Sequence, residues 1–174
     1  RRKKEDVKEI DLVASWLPEK REALMQCFTG LSMVQDIIGQ GSTKSTVRLN
    51  SGISVDLRLV SDQEYPHLLL HMTGSKDHNT AMRSRAKKLG YKINEYGLFK
   101  GDQTLLCADE KEIFTTLGLS YIPPELREDR GEVQRSEQED LQRLLIQTQD
   151  IQGLFHAHSV WSDGANSLSE MVAA

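Results

Sequence analysis

Cysteine is scarce in this chain, which contains only Cys27 and Cys107 among 174 residues. Two thiols so far apart can form neither a disulfide framework nor a zinc motif, which favours a reducing compartment. No apolar run approaches the roughly 20 residues of a membrane-spanning helix, and the first six residues lead into no signal-peptide core. These absences predict a soluble, cytoplasmic protein with no membrane partner.

Aromatic residues are also few, at 6%, but a hydrophobic content of 38% is enough for one domain or two small ones. The chain does not begin with Met and stops inside an apolar, helix-like run, so we expect a piece of a longer protein. Nothing in the sequence indicates an oligomeric state.

The net charge of −4 conceals a strong segregation. Residues 76–100 contain seven Lys or Arg and two acids, whereas residues 125–140 contain seven acids and three Arg. The basic block is a candidate surface for a polyanion, and the acidic block is predicted to be a solvated linker.

The run from Ile53 to Val60 alternates between apolar and polar residues, as a half-buried strand does. Its apolar members face one side, and Asp56 faces the other together with Ser54 and Arg58. Residues 46–49 precede it across an Asn-Ser-Gly turn, which predicts a hairpin that carries an acid.

A second strand is predicted at residues 10–14, with Ile10 and Leu12 facing the core and with Glu9 and Asp11 on the opposite face. Glu9, Asp11 and Asp56 could therefore converge on one side of adjacent strands. Such an oxygen-rich cluster suits a pair of divalent cations. Acids are also common on the open face of a half-buried sheet, so both interpretations stay open here.

Helices and strands alternate through the rest of the first two thirds of the chain. We predict a helix at 19–28 ended by Gly30, a buried strand at 68–72, and a helix at 76–89 with Ser75 as N-cap and Gly90 as its stop. A hairpin at 91–107 and an Asp109-capped helix at 110–117 follow.

On the helix predicted at 76–89, Asn79 and Arg83 lie four residues apart and share a face. The pattern is typical of a solvated helix face, but the neighbouring cations favour contact with phosphate. These cations are Arg83, Arg85, Lys87 and Lys88.

The last segment has a pattern of its own. Residues 136–139, Ser-Glu-Gln-Glu, form a capping-box sequence and predict a short helix carrying Leu141, Leu144 and Leu145. On a strand within residues 150–164, His156 and His158 would point the same way and could hold a metal ion, with Asp163 close by.

Together these motifs resemble the family X DNA polymerases, in the bacterial form with a C-terminal polymerase-and-histidinol-phosphatase (PHP) domain. Arg1-Arg2 before Glu9-Ile10-Asp11 resembles the nucleotidyltransferase motif, and Val55-Asp56-Leu57-Arg58 resembles the strand of the third catalytic acid. The thumb is represented by Thr73-Gly74-Ser75, Asn79, Met82-Arg83, Ile93-Asn94-Glu95-Tyr96 and the run from Tyr121 to Arg127.

The resemblance implies an α+β fold with a nucleotidyltransferase palm sheet at 1–67 and a small α/β thumb at 68–127. A charged linker with a short helix would follow at 128–149, and the first strand of a PHP (β/α) barrel would begin the segment 150–174. This last segment resembles only the first PHP motif, with Leu154 where an acid is usual.

The resemblance also implies site residues. Glu9, Asp11 and Asp56 would be catalytic and would bind Mg²⁺ or Mn²⁺, while His156, His158 and Asp163 would belong to an incomplete PHP site for Zn²⁺ or Mn²⁺. The residues assigned to the incoming nucleotide are Arg2, His71, Met72, Gly74, Asn79 and Arg83. Those assigned to DNA are Lys76, Arg85, Lys87 and Lys88.

The chain departs from the family pattern at a few positions. Glu9 stands where the family has Asp, Lys8 where a glycine is usual, and His71-Met72 where many relatives have an aromatic pair. We predict a DNA polymerase that fills gaps in gapped or primer-template DNA with dNTPs. Two alternatives remain: a metal-dependent 3′–5′ exonuclease or phosphoesterase whose polymerase half has decayed, and a non-catalytic DNA-binding module.

Overall fold

A computed structural model of the chain describes residues 1–16, 18–153 and 156–173. They form two compact units, Arg1–Gln142 and Arg143–Ala174. The first unit contains a four-stranded sheet, a three-stranded sheet and the helices that cover them.

The four-stranded sheet has the strand order β1-β4-β3-β2. Strand β4 pairs parallel with β1 and antiparallel with β3, and β2 pairs antiparallel with β3. The strands and the helix after β1 are β1 Glu9–Ser15, α1 Arg21–Thr29, β2 Val34–Gln40, β3 Lys44–Leu49 and β4 Ser54–Val60. The predicted strands at 10–14 and 53–60, the hairpin between β3 and β4, and the helix ended by Gly30 are confirmed.

The alternation of β4 is confirmed, because Val55, Leu57 and Leu59 are buried. The same prediction is wrong for β1, where Ile10 and Leu12 remain 38% and 43% exposed. Strand β1 is an edge of the sheet, and the cluster formed by α1 with Leu57 and Leu59 reaches β1 only at its end.

The strand predicted at 68–72 is wrong, since these residues lie in helix α2, Tyr65–Thr73. A short continuous apolar run does not distinguish a buried strand from a buried helix. The distinguishing signal lies upstream, where Ser61 and Glu64 form a capping box: the Glu64 carboxylate accepts hydrogen bonds from Ser61 N at 3.1 Å and Ser61 Oγ at 2.8 Å. Pro66 in the first turn is a second helix-start signal.

Two side-chain caps fix the next helices, as predicted. Ser75 Oγ accepts a hydrogen bond from His78 N at 3.0 Å, and Asp109 Oδ1 accepts one from Glu112 N at 2.9 Å. The elements are α3 Lys76–Lys88, β5 Lys92–Asn94, β6 Gly97–Lys100, β7 Gln103–Leu105 and α4 Glu110–Thr116. The hairpin predicted at 91–107 thus has three strands, because a turn at residues 95–96 separates β5 from β6.

The prediction that the acidic residues 125–140 form a solvated linker is wrong, because this stretch belongs to the first unit, which ends at Gln142. Val133 and Leu141 belong to the same buried cluster as Phe114 and Leu98, and the short helix α5 covers Glu132–Arg135. The helix predicted from Ser136 is also wrong: Ser136 is buried at the end of α5, and residues 141–144 form a 3-10 turn.

The second unit contains a 3-10 turn at Thr148–Asp150 and helix α6, Leu168–Ala173. Leu154 and Phe155, part of the predicted strand, lie outside the described residues. The described residues of 150–164 contain no strand, so the predicted first barrel strand is not formed there. In the portion of the chain that the structure covers, no helix is long and apolar enough to cross a bilayer.

Candidate active site

The strand register brings two of the predicted catalytic acids together. Asp11 on β1 is the direct partner of Asp56 on β4, and Glu9 lies opposite Ser54. Because neighbouring strands are about 4.8 Å apart, two in-register side chains emerge side by side on one face. The polar face of the palm sheet therefore carries an adjacent pair of carboxylates, with Glu9 two residues away on the same face.

Asp56 is the more enclosed acid and has a cationic partner. Lys44 Nζ lies 2.6 Å from its Oδ2, with the Asp56 side chain 21% exposed. Burial raises the pKa of Asp56, but hydrogen bonds from Lys44 and Thr46 and the charges of Lys44 and Arg58 outweigh it, and the net pKa is lowered. Asp56 is therefore ionised at neutral pH.

The donor chemistry of Asp11 and Asp56 fits hard divalent cations, which prefer carboxylate oxygens. Among the described residues, however, no three His, Cys, Asp or Glu side chains are grouped closely enough to hold a metal ion. The predicted ligand set of Glu9, Asp11 and Asp56 is thus present on one face but not drawn together. One oxygen of Asp56 is instead held by Lys44.

A cleft beside these acids is strongly basic. Its lining includes Glu9, Asp11 and Met72, together with the N-terminal run Arg1, Arg2, Lys3 and Lys4. Four cations around one cleft are donors that can bind the oxygens of a polyphosphate through charge-assisted hydrogen bonds. Arg2, Met72, Glu9 and Asp11, four residues that the resemblance assigns to catalysis or to the nucleotide, line this one cleft.

The four N-terminal cations are all paired with acids of the thumb and its end. Arg1 pairs with Glu110 at 2.6 Å and Arg2 with Glu128 at 2.7 Å. Lys4 also reaches Glu128, at 2.9 Å, and Lys3 reaches Glu125 at 3.1 Å. Arg2, the predicted triphosphate ligand, is therefore engaged by a carboxylate.

A second cleft unites three of the other four predicted nucleotide-binding residues, all but Gly74. It is lined by His71, Asn79 and Arg83, together with Leu70, Met82, Ile93, Asn94 and the buried His67. Asn79 Nδ2 donates a hydrogen bond to the His71 carbonyl at 2.8 Å, which fixes the amide at the cleft wall. Burial lowers the pKa of His67, so its ring is neutral at physiological pH.

Gly74 is required by close packing at this wall. A Cβ atom on Gly74 would lie 2.6 Å from Asn79 Oδ1 and 2.8 Å from His78 Cδ2. Any larger residue would displace the Asn79 side chain. The absence of a side chain at Gly74 thus leaves room for Asn79 at the cleft wall.

Some cations of α3 are exposed to solvent, and others form hydrogen bonds or ion pairs with neighbouring residues. Lys76, Lys87 and Lys88 are exposed, and Arg83 donates only to Thr80 Oγ1 at 3.3 Å. Arg85 instead donates to the Leu117 carbonyl at 3.0 Å and pairs with Glu137 at 2.7 Å. Its guanidinium is used inside the thumb, so the predicted DNA contact of Arg85 is not supported by its surroundings.

The histidines of the second unit lie close together without a strand. The rings of His156 and His158 are 4.9 Å apart, and His158 Nδ1 is hydrogen-bonded to Asp163 Oδ1. His156 has a positive φ of 60°, outside the extended region that the prediction assumed. A turn therefore brings His158 and Asp163 into contact, and their role in a metal site stays a prediction.

Lys44 and Glu128 are among the residues at the site that were not predicted. Lys44 begins β3, where alternation with the buried Ser45 and Val47 places it on the face of Asp56. That alternation is visible in the sequence and could have identified it. Glu128 carries no local signal, because only the fold brings it to Arg2, 126 positions away.

A family model of the DNA polymerase beta thumb matches residues 68–128. The DNA polymerase/3′-5′ exonuclease PolX of Bacillus subtilis (strain 168) is 40% identical over 180 aligned positions, which cover 100% of this chain and 30% of that protein. The chain belongs to the family X DNA polymerases. It spans less than a third of the Bacillus protein's length.

Shorter family X relatives and solved structures agree. Repair DNA polymerase X of African swine fever virus (isolate Tick/South Africa/Pretoriuskop Pr4/1996) is 40% identical over 76 residues, 42% of this chain and 43% of that one. The ternary primer-template complex of Leishmania infantum polymerase beta matches with a TM-score of 0.61 and 24% identity, over 74% of this chain and 64% of its own. This structural likeness confirms the α+β fold with palm sheet and thumb.

Proposed function

We propose that this family X chain forms the palm and thumb of a template-directed DNA polymerase, which transfers a nucleotide from a dNTP to a primer 3′-OH during repair-type gap filling. The observation that carries the proposal is the register that sets Asp11 beside Asp56 at a cleft lined with four cations. Its partners would be gapped or primer-template DNA and dNTPs.

In this proposal the palm supplies the reacting groups. Asp11 and Asp56, with Glu9, would hold Mg²⁺ or Mn²⁺, which when bound neutralises charge on the transferred phosphoryl group. Asp56, which its neighbours keep ionised, would also accept the proton of the primer hydroxyl. Arg2 would bind the triphosphate, with Met72 beside it in the cleft.

The thumb would position the nascent base pair and the duplex. Asn79 and Arg83 would reach the minor groove and read its shape, and His71, held through its carbonyl by Asn79, would line the same nucleotide cleft. Lys76, Lys87 and Lys88 would contact backbone phosphates from the exposed face of α3. Such contacts should make DNA binding salt-dependent, with a slope of about 0.9 per phosphate neutralised.

A second activity has a specific observation in its favour. The contact between His158 and Asp163, next to His156, is a partial set of ligands suited to Zn²⁺ or Mn²⁺. The Bacillus relative that aligns with the whole chain is named a DNA polymerase/3′-5′ exonuclease. We therefore propose that the intact protein also has a metal-dependent 3′–5′ exonuclease, separable from the polymerase by mutation of His158.

The proposal is tested by single-nucleotide incorporation on a one-nucleotide-gapped duplex by the intact protein, with Mg²⁺ and then Mn²⁺. We expect incorporation that Asp11→Asn lowers by about a thousandfold, because a catalytic carboxylate is lost. Asp62→Asn, an exposed acid after β4, is the matched control and should retain activity. DNA binding without incorporation in either metal would instead favour a non-catalytic DNA-binding module.

A further inference from the structure

One carboxylate oxygen of Glu128 forms ion pairs with two cations that line the basic cleft. Arg2 Nη1 lies 2.7 Å and Lys4 Nζ 2.9 Å from Glu128 Oε1. Glu128 is only 19% exposed, and Arg2 is 30% exposed. The contact is thus partly shielded from water. A partly buried ion pair is screened less by salt than a pair at an open surface.

The charge state of Glu128 agrees with this arrangement. Burial alone raises the pKa of its carboxyl, but the hydrogen bonds and charges of Lys4 and Arg2 lower it overall. The carboxylate is therefore an anion in contact with two cations of the cleft. Arg2 and Lys4 both line that cleft, together with Glu9 and Asp11.

A phosphate group entering the cleft would seek the same donors. Guanidinium and ammonium groups bind carboxylate and phosphate oxygens through the same charge-assisted hydrogen bonds. The Glu128 oxygen that accepts a hydrogen bond from Arg2 Nη1 must move before a phosphate oxygen can accept that bond instead. The internal carboxylate and the external phosphate therefore compete for Arg2 and Lys4.

We propose that Glu128 is a built-in competitor for the substrate's triphosphate, holding Arg2 and Lys4 in the substrate-free protein and releasing them when phosphate oxygens take over these donors. The inference rests on the proposed function, since it takes Arg2 as the triphosphate ligand. It adds a thumb residue that sets the affinity and selectivity of the cleft for polyphosphate without contacting the reacting atoms. Weak anions would fail to displace Glu128, whereas a triphosphate would succeed.

The chain offers a matched control in Glu125. Its salt bridge is with Lys3, at 3.1 Å, and the Lys3 side chain is 79% exposed. Exposed pairs of this kind contribute little. Neutralising Glu125 removes the same formal charge from the same region but frees no enclosed cation.

The experiment is calorimetric titration of the intact protein with inorganic tripolyphosphate, without divalent cations and at low salt, so that catalysis plays no part. Glu128→Gln should bind about fivefold more tightly than wild type, because two partly shielded ion pairs no longer compete. Glu125→Gln should stay within about twofold of wild type. Glu128→Asp keeps the charge on a shorter side chain and should tighten binding less than Glu128→Gln.

Two results would overturn the proposal. Unchanged or weaker binding by Glu128→Gln, with a melting temperature near that of wild type, would show that Glu128 orients Arg2 instead of competing for it. Equal tightening by Glu125→Gln would show a general charge effect. Arg2→Gln separates this inference from the proposed function: its binding should fall sharply, and loss by Arg2→Gln without gain by Glu128→Gln would leave Arg2 as phosphate ligand while rejecting the competition.

Discussion

The thumb and the palm are stabilised in different ways. The main buried cluster of the thumb, among the described residues, unites thirteen side chains from several helices and strands, whereas the corresponding cluster under the palm sheet contains Met25, Leu57 and Leu59. The thumb is a packed body, whereas the palm sheet has a small buried cluster beneath α1. The predicted catalytic acids lie on the thinly packed part, where the polar face remains open to ligands.

This difference has a consequence for how the site is held. The palm acids are positioned by strand register and by ion pairs such as Lys44–Asp56, and the N-terminal cations are positioned by acids of the thumb. Apolar packing and the buried Glu110–Arg127 pair therefore stabilise the thumb, and charges determine the arrangement of the cleft. Substitutions in the two regions should produce separable effects on stability and on activity.

The largest loss of stability should come from the thumb core. Phe114 is fully buried, with its ring 5.6 Å from that of Tyr121 and 5.1 Å from the Arg127 guanidinium. Phe114→Ala should lower the free energy of unfolding by about 3–5 kcal/mol. Urea denaturation measures this change, and Leu106→Ala, at a 70% exposed position, is the control with an expected change within about 0.5 kcal/mol. A similar small loss for Phe114→Ala would contradict the packed-thumb description.

The next effect concerns the charged connection between the N-terminus and the thumb. Glu110 is 7% exposed and pairs with Arg1 at 2.6 Å and with the fully buried Arg127 at 2.5 Å. Glu110→Gln leaves Arg127 without a counter-charge and should cost about 3 kcal/mol at pH 7. Glu139→Gln, which breaks an exposed pair with Arg135, should cost less than about 0.5 kcal/mol.

The stability contributed by Glu110 should depend on pH. Burial raises the pKa of Glu110, but Arg1 and Arg127 outweigh it, so the net pKa in the folded protein is below the ordinary value of 4.5. A lowered folded pKa gives stability that is present above the unfolded pKa and is lost as pH falls through the folded pKa. The difference in unfolding free energy between wild type and Glu110→Gln should therefore shrink from pH 6 towards pH 3. A constant difference would contradict the ion-pair account.

A smaller effect is expected at the cleft wall. Gly74→Ala introduces a Cβ within 2.6 Å of Asn79 Oδ1 and should cost about 1–3 kcal/mol while displacing that amide. Apparent dNTP affinity should weaken more than affinity for gapped DNA, because Asn79 belongs to the predicted nucleotide cleft. Gly39→Ala, with no atom within 4 Å of its added Cβ, is the control and should change neither affinity. Equal loss of both affinities would assign Gly74 to general folding.

The sequence predicted the elements whose signals are local. Alternation located β4 and its buried face, and side-chain caps located the starts of α3 and α4. The strand predicted at 68–72 was wrong because a uniformly apolar run has no visible period, and the helix predicted after Ser136 was wrong because tertiary packing buried the expected cap. Exposure of Ile10 and Leu12 follows from the edge position of β1, which alternation cannot reveal.

For the candidate site too, the sequence predicted some contacts and missed others. The pairing of Asp11 with Asp56 could be predicted from two alternating strands, and the shared cleft of Asn79 and Arg83 from helical spacing. The roles of Glu128 and Glu110 could not be predicted, since their ion pairs with the N-terminal arginines join residues more than a hundred positions apart and depend on the completed fold. The site roles of all these residues remain predictions until they are tested by mutation.

The most direct test of the central claim is a parallel measurement of incorporation and gapped-duplex affinity for wild type, Asp56→Asn and Asp62→Asn in the intact protein. We predict that Asp56→Asn lowers incorporation by about a thousandfold while DNA affinity stays within about twofold, because the palm acid acts in chemistry and the thumb holds the duplex. Asp62→Asn should resemble wild type in both assays. Incorporation retained by Asp56→Asn, or an equal loss of incorporation and DNA affinity, would contradict the assignment of catalysis to the paired acids of β1 and β4.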